Sequence, residues 1–136
     1  MTRRLRNNNP LNIRKVAGTH WKGEIRTPQP PLGGALFCQF STIEFGLRAA
    51  FVLLHTYSTK YRANCIRDIV SRWAPPNEND TEQYIRNVCL WTGFGGNERL
   101  TEAQWPKLVH AMARQECGVV LPIMTIMRGF ALYKKP

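Results

Sequence analysis

The stretch Leu-Val-His-Ala-Met-Ala-Arg-Gln-Glu-Cys-Gly, residues 108–118, decides how the rest of this sequence is interpreted. Apolar side chains in and before it recur at i, i+3, i+4 and i+7, as on one face of an amphipathic helix: Trp105, Leu108, Val109 and Met112. Glu116 continues that face, and Gly118 is the usual residue at a helix end. The pattern therefore predicts a helix that carries a carboxylic acid on its buried side.

Glu116 is the candidate chemical centre of the chain. Loss of water around its carboxylate and the negative end of its own helix would both raise its pKa. A carboxylic acid that stays protonated near neutral pH can act as a general acid. The alternative is an ordinary surface glutamate at a frayed helix end, and the sequence alone leaves both interpretations open.

Length and charge limit the classes to which this protein can belong. The 136 residues suffice for one domain with a substantial hydrophobic core. Nineteen basic residues against nine acidic ones give a net charge of +10, which favours binding to polyanions. Nucleic acid, anionic lipid, and cell-wall polymers that carry carboxylates and phosphates all fit this charge.

The cysteines and the N-terminus argue against several other classes. Four cysteines lie far apart in the sequence, without Cys-x-x-Cys or paired histidines, so we expect no metal site, no cofactor and reduced, buried thiols: Cys38, Cys65, Cys89 and Cys117. No apolar stretch is long enough for a membrane span. Residues 1–6, Met-Thr-Arg-Arg-Leu-Arg, lack the hydrophobic region of a signal peptide. We therefore expect synthesis in the cytoplasm.

Secondary-structure patterns indicate an α+β, mainly helical fold. Residues 11–16, 21–25 and 37–40 are predicted as three short strands of one antiparallel sheet, with a proline- and glycine-rich loop at 27–34. About five helices should follow. They are expected to run from a Ser41 or Thr42 cap to about 57, from 64 to a stop at 74–76, from 80 or 81 to 93, from 101 or 106 to 118, and from about 122.

Several motifs together resemble the phage-associated family of small muralytic virion proteins, members of which also occur in bacterial mobile elements. The motifs are Arg-Asn-Asn-Asn-Pro-Leu-Asn-Ile-Arg at 6–14, Trp-Lys-Gly at 21–23, Phe-Cys-Gln-Phe at 37–40, Gly-Leu-Arg-Ala at 46–49, Arg-Trp-Ala-Pro-Pro at 72–76, and Asn-Asp-Thr-Glu-Gln-Tyr at 79–84. This resemblance covers nearly the whole chain. It implies degradation of peptidoglycan and association with a virion or another mobile-element protein.

A second resemblance gives Glu116 its role. Lysozyme-like glucosaminidases contain a helix that ends in Glu-Ser-Gly, then an Asn-Leu-Phe-Gly-Ile-Lys strand, then Trp-x-Gly and Phe-x-x-Tyr. The same order appears rotated here, with the Glu-bearing helix moved to the C-terminal side. The resemblance implies one circularly permuted, lysozyme-like domain over residues 1–136. Relatives commonly have Glu-Asn-Gly where this chain has Glu-Cys-Gly at 116–118.

This resemblance implies cleavage of the glycan strand by a lytic transglycosylase or by a muramidase or glucosaminidase. A transglycosylase needs one acid, Glu116, whereas hydrolysis usually uses two carboxylates. Glu24 and Glu44 are the candidate second carboxylates. Their ordinary alternatives are a solvent-facing strand residue for Glu24 and a helix N-terminal acid for Glu44.

Other residues are candidates for binding the sugar, its acetamido groups or its carboxylates. The polar candidates are Asn9, Asn12, Arg14 and Arg48. Trp21 and Tyr84 are the candidate stacking surfaces, although aromatic residues at these spacings also suit a core. Arg48 also has an alternative at the exposed edge of its helix.

Two rival functions remain open. A cysteine peptidase would need Cys117 or Cys38 with His55 or His110, but neither cysteine lies in a recognisable nucleophile motif. The other rival is a non-catalytic, basic structural protein of a phage or mobile element that binds cell wall or nucleic acid. If the chain is an enzyme, it acts at the cell wall or periplasm and is delivered without a signal peptide.

Overall fold

The computed structural model describes residue 5 and residues 7–25 and 36–136. The predicted loop at 27–34 lies outside the described residues. So do Arg3, Arg4 and Arg6 of the basic N-terminus.

Residues 36–136 contain five α-helices, as predicted: α1 (Ile43–Tyr61), α2 (Ile66–Trp73), α3 (Thr81–Thr92), α4 (Trp105–Cys117) and α5 (Ile123–Lys134). A short 3₁₀ turn, Glu102–Gln104, precedes α4. The chain is therefore mainly helical, and its helices begin and end close to the residues that carry the local signals.

Capping residues explain most of these boundaries. Thr42 accepts a hydrogen bond from the Phe45 amide and begins α1, and Asp80 caps α3 in the same way. Gly93 and Gly118 adopt left-handed conformations and end α3 and α4. Helix α1 continues past its predicted end to Tyr61, because the next residue, Arg62, adopts the left-handed conformation there.

The predicted three-stranded sheet is wrong for the described residues, which form a two-stranded one. Strand β1 (Glu24–Ile25) pairs antiparallel with β2 (Gln39–Phe40). The segment 11–16 contributes only an isolated bridge between Arg14 and Phe37. Asn12 has a φ of 59° and its amide bonds back to the Asn9 carbonyl at 3.1 Å. This turn leaves too little extended chain for a third strand.

Helix α1 is the centre of the core. Its side chains Leu47, Ala50, Phe51 and Leu54 are buried. Helix α5 packs along it, with the Phe130 ring 5.0 Å from the ring of Phe51 in an edge-on contact. Helices α4 and α3 pack against each other, so α4 lies between the central helix and α3.

Two glycines of the sequence motifs hold the N-terminal segment against α1. A Cβ on Gly46 would lie 2.0 Å from the Asn8 carbonyl oxygen, so only glycine allows this approach. Gly23 has a φ of 78°, and a Cβ there would lie 2.2 Å from the ring of Phe45. These motifs therefore have a packing role.

Among the described residues, the cysteine and acidic side chains do not cluster as metal ligands do. All four cysteines are free, with Cys38 and Cys117 buried and Cys65 and Cys89 half-buried. No group of three or more histidine, cysteine, aspartate or glutamate side chains suited to a metal occurs among the described residues. Within the same residues, no helix combines the length and the apolar character that crossing a membrane requires.

Candidate functional site

A cleft of about 600 Å³ opens where the N-terminal segment meets α1, α2 and the end of α4. This volume lies in the range of ligand-binding pockets. Its polar and aromatic lining includes Asn12, Arg14, Trp21, Tyr57, Arg72, Trp73, Glu78, Asn79 and Glu116. The structure thus brings together Glu116 and three of the residues predicted to bind substrate.

Glu116 is half-buried in the last turn of α4 and faces this cleft. The Tyr84 hydroxyl, on α3, donates a hydrogen bond of 3.1 Å to its Oε2 atom. One residue earlier, the Asn87 side chain donates to Gln115 at 2.8 Å and joins the same two helices. The Glu116 carboxylate is therefore oriented by a buried phenol between two packed helices.

Tyr84 occupies a different place from the one predicted. It is only 4% exposed, so its ring has no free face on which a sugar could stack. Its hydroxyl contacts Glu116 instead. Trp21, in contrast, is half-buried and lines the cleft.

The N-terminal segment forms another part of the cleft wall. The Trp73 indole nitrogen donates to the Leu11 carbonyl at 3.2 Å and fixes this segment to the end of α2. Arg14 forms an ion pair of 2.6 Å with Glu78, in the loop between α2 and α3. Arg14 and Asn12 therefore face the same cleft as Glu116, although about a hundred residues separate them in sequence.

Glu78 is a cleft residue that the sequence did not single out. It lies in a polar turn after a helix stop, a setting in which a charged residue needs no functional explanation. Arg72, Tyr57 and Trp73 are also cleft residues that the sequence did not single out. Arg72 and Trp73 lie inside the motif at 72–76, and Glu78 lies between that motif and the one at 79–84, which was the available signal for these three residues.

Glu24 does not face the solvent, although the non-catalytic interpretation of this residue expected that it would. Its side chain is 2% exposed and pairs with the Lys15 ammonium at 2.9 Å. It also accepts a hydrogen bond of 2.8 Å from the Trp21 amide. Glu24 does not line the cleft, and its contacts hold the turn before β1.

Three further candidates lie outside the cleft. Asn9 is 1% exposed and donates to the carbonyls of Ile13 and Cys38, at 2.9 and 3.0 Å, so it organises the N-terminal turn. Glu44 lies half-buried in the first turn of α1, where an acid is favoured. Arg48 is half-buried, and among the described residues its Nε atom has no hydrogen-bond partner.

The cysteines and histidines do not assemble a nucleophilic pair in the described residues. His110 donates to the Leu121 carbonyl at 2.7 Å, and His55 lies against the Tyr133 hydroxyl. Burial, with a smaller contribution from Glu24, raises the pKa of the Cys38 thiol to about 11. A reactive cysteine needs the opposite shift. Cys117 is buried and weakly bonded to the Val119 carbonyl.

Together, these features define a small, mainly helical protein with a two-stranded antiparallel sheet and a cleft that mixes carboxylates, guanidinium groups and aromatic rings. No family model matches the chain. Protein P5 of Pseudoalteromonas phage PM2 is 42% identical over 118 residues, which cover 85% of this chain and 71% of the phage protein. The chain therefore belongs to the family of this phage protein, in agreement with the expected phage association.

Proposed function

We propose that the protein cleaves the glycan strand of peptidoglycan, with Glu116 as the general acid. One observation carries this proposal. A half-buried carboxylate lies in the wall of a 600 Å³ cleft, oriented by the hydroxyl of a buried tyrosine. A general acid needs a fixed position beside the bond that breaks, and the tyrosine hydroxyl supplies one.

In the proposed reaction, Glu116 gives its proton to the bridging oxygen while the bond from that oxygen to the anomeric carbon breaks. Positive charge then develops on the sugar ring. In a transglycosylase, the 6-hydroxyl of the same muramic acid closes onto the anomeric carbon, and its proton goes to the Glu116 carboxylate. In a hydrolase, water adds to that carbon, and a second carboxylate removes its proton.

Glu78 supports the hydrolytic route. It lines the same cleft as Glu116 and forms an ion pair of 2.6 Å with Arg14. Two carboxylates in unlike environments suit the acid and base roles of glycoside hydrolysis. Glu78 is thus a better second carboxylate than Glu24 or Glu44, neither of which lines the cleft.

The lysozyme-like, circularly permuted domain over residues 1–136 is part of the same proposal. The rotated motif order requires the Glu-bearing helix to meet the Asn-Pro-Leu-Asn-Ile-Arg segment in space. In support, Asn12 and Arg14 line the cleft beside Glu116. Trp21 and Trp73 add ring surface suited to sugar stacking, and the +10 charge favours an anionic wall polymer. Delivery with a virion is part of the proposal, which the relative's origin in a phage supports only as an association with phages.

The test is digestion of purified peptidoglycan by the wild type and by Glu116→Gln, followed as release of soluble muropeptides. Glu44→Gln is the matched control, because it makes the same change at a glutamate outside the cleft. We expect release by the wild type and the control, and at least a hundredfold less by Glu116→Gln. Equal release by wild type and Glu116→Gln would refute the assignment of the acid, and no release by any of them would refute the enzymatic function.

The charge favours a second candidate, a non-catalytic structural protein that binds nucleic acid. Several surface cations lie over aromatic rings rather than beside acids, such as Arg114 at 4.0 Å from the Trp91 ring and Lys107 at 5.3 Å from the Phe94 ring. Their charge is therefore available to a polyanion. Duplex DNA binding that weakens steeply with added salt, in a protein that releases no muropeptides, would favour this function.

A further inference from the structure

The candidate cleft contains a second guanidinium, that of Arg72, at the C-terminal end of α2. Its Cζ atom lies 3.5 Å from the centre of the Tyr61 ring and 6.0 Å from that of Tyr57. No carboxylate pairs with it among the described residues. Arg14, the other cleft arginine, is paired with Glu78. Arg72 therefore brings to the cleft a guanidinium that forms no ion pair with a described carboxylate.

The Tyr57 phenol carries no charge that could pair with Arg72. Burial raises the pKa of Tyr57, and the opposite effect of Arg72 is smaller, so this phenol is uncharged at neutral pH. The ring of Tyr61 covers one face of the guanidinium. Stacking of this kind leaves the N–H groups directed outward in the guanidinium plane, where they match the two oxygens of a carboxylate.

We propose that Arg72 binds a substrate carboxylate, so that the cleft selects glycans that carry one. This inference rests on the proposed cleavage of peptidoglycan and adds a requirement on the substrate. A neutral glycan of N-acetylglucosamine alone lacks the group that Arg72 would bind. In peptidoglycan the carboxylate comes from the lactyl group of an unsubstituted muramic acid or from the stem peptide.

Arg72 also has an ordinary explanation, since a cation in the last turn of a helix interacts favourably with the helix dipole. That role needs only charge, whereas a bidentate carboxylate contact needs the planar arginine fork. Arg72→Lys therefore separates the two explanations. Lys60→Gln is the matched control, because Lys60 also lies over the Tyr61 ring, at 5.3 Å, and in the last turn of a helix, but does not line the cleft.

The experiment is calorimetric binding to full-length protein that carries Glu116→Gln, which prevents turnover. The probes are N-acetylglucosaminyl-N-acetylmuramic acid, the same disaccharide with an L-Ala-D-Glu stem, and neutral chitobiose. We expect at least one acidic probe to bind more tightly than chitobiose. Arg72→Gln should weaken the binding of that probe by roughly tenfold to a hundredfold and leave the affinity for chitobiose unchanged. The acidic probe with the larger loss identifies the source of the carboxylate.

Arg72→Lys should lose most of the same affinity, while Lys60→Gln should keep it. Full affinity in Arg72→Lys, equal binding of all three probes, or no binding of any probe would each overturn the inference. Tighter acidic-probe binding that depends on Arg72, in a protein whose wild type releases no muropeptides, would refute only the proposed cleavage. Muropeptide release without any effect of Arg72→Gln on binding would refute only the Arg72 assignment.

Discussion

The Tyr84 hydroxyl donates a hydrogen bond of 3.1 Å to Oε2 of Glu116 and so joins α3 to the wall of the cleft. The two residues are 32 positions apart, and Tyr84 is almost completely buried while Glu116 is half-buried. A buried donor on a rigid helix restricts the carboxylate to one orientation. The proposed acid therefore depends on a residue that no substrate can touch in this structure.

Tyr84→Phe should retain the fold and lose the orientation of Glu116. Removing one partner of a buried hydrogen bond and leaving the other unsatisfied lowers the free energy of unfolding by about 1–3 kcal/mol. Misplacing a catalytic group by about an ångström lowers the rate by up to about a hundredfold. We therefore expect kcat on peptidoglycan to fall about tenfold to a hundredfold, measured at enzyme concentrations corrected for the folded fraction.

Tyr133→Phe is the control for that experiment. The Tyr133 hydroxyl also donates to a glutamate, Glu102, at 2.7 Å, but neither residue lines the cleft. We expect a similar loss of stability from Tyr133→Phe and an unchanged kcat. Equal kcat values in both variants would contradict a positioning role for Tyr84.

Glu24→Gln should affect stability far more than catalysis. The substitution keeps an acceptor for the Trp21 amide but removes the charge that pairs with Lys15 in a buried setting. Leaving a buried charge without its partner is strongly destabilising, and we expect a loss of about 3 kcal/mol, measured by urea unfolding. The folded fraction should keep the wild-type kcat. A lost kcat at unchanged stability would instead restore Glu24 as a catalytic carboxylate.

The Cys38 thiol should make the free energy of unfolding fall between pH 9 and pH 11. This thiol has a pKa near 11 in the folded protein against an ordinary value of 9.0, chiefly because it is buried. The stabilisation of the folded protein by the un-ionised thiol is therefore complete below pH 9. It is lost as the pH rises from 9 to 11, because in that window the thiol ionises in the unfolded chain only. Two pKa units correspond to about 3 kcal/mol.

The measurement compares urea unfolding of wild type and Cys38→Ala at pH 8, 9.5 and 10.5. Cys38→Ala leaves a small cavity at every pH, and the other titrating groups affect both proteins alike. The stability advantage of the wild type should therefore shrink steadily across the series. If the difference in free energy of unfolding between the two proteins stayed constant with pH, the pKa of the Cys38 thiol would not be raised in the folded protein.

Local signals in the sequence were enough to predict the helices. Thr42, Asp80, Gly93 and Gly118 each end or begin a helix through contacts with near neighbours, so their effect is visible in a short stretch of sequence. The predicted sheet failed because alternation does not reveal a left-handed turn such as that at Asn12. Whether a segment forms a strand depends on such details of the backbone as much as on the pattern of apolar residues.

The cleft was only partly predictable, because its lining depends on contacts between residues that are far apart. Glu116 stood out as an acid on an apolar helix face. Glu78 and Arg72 did not, since charged residues in a turn or at a helix end have ordinary explanations. In the opposite direction, Asn9 and Glu24 are polar residues whose remote partners give them structural contacts.

The most direct test of the account is mass spectrometry of the ends that wild type, Glu116→Gln and Glu78→Gln leave on purified peptidoglycan. We predict reducing-end muropeptides from the wild type, none above background from Glu116→Gln, and at least tenfold fewer from Glu78→Gln. Anhydro ends from the wild type, unaffected by Glu78→Gln, would contradict the role of Glu78 and indicate a transglycosylase. Undiminished cleavage by Glu116→Gln would contradict the central claim.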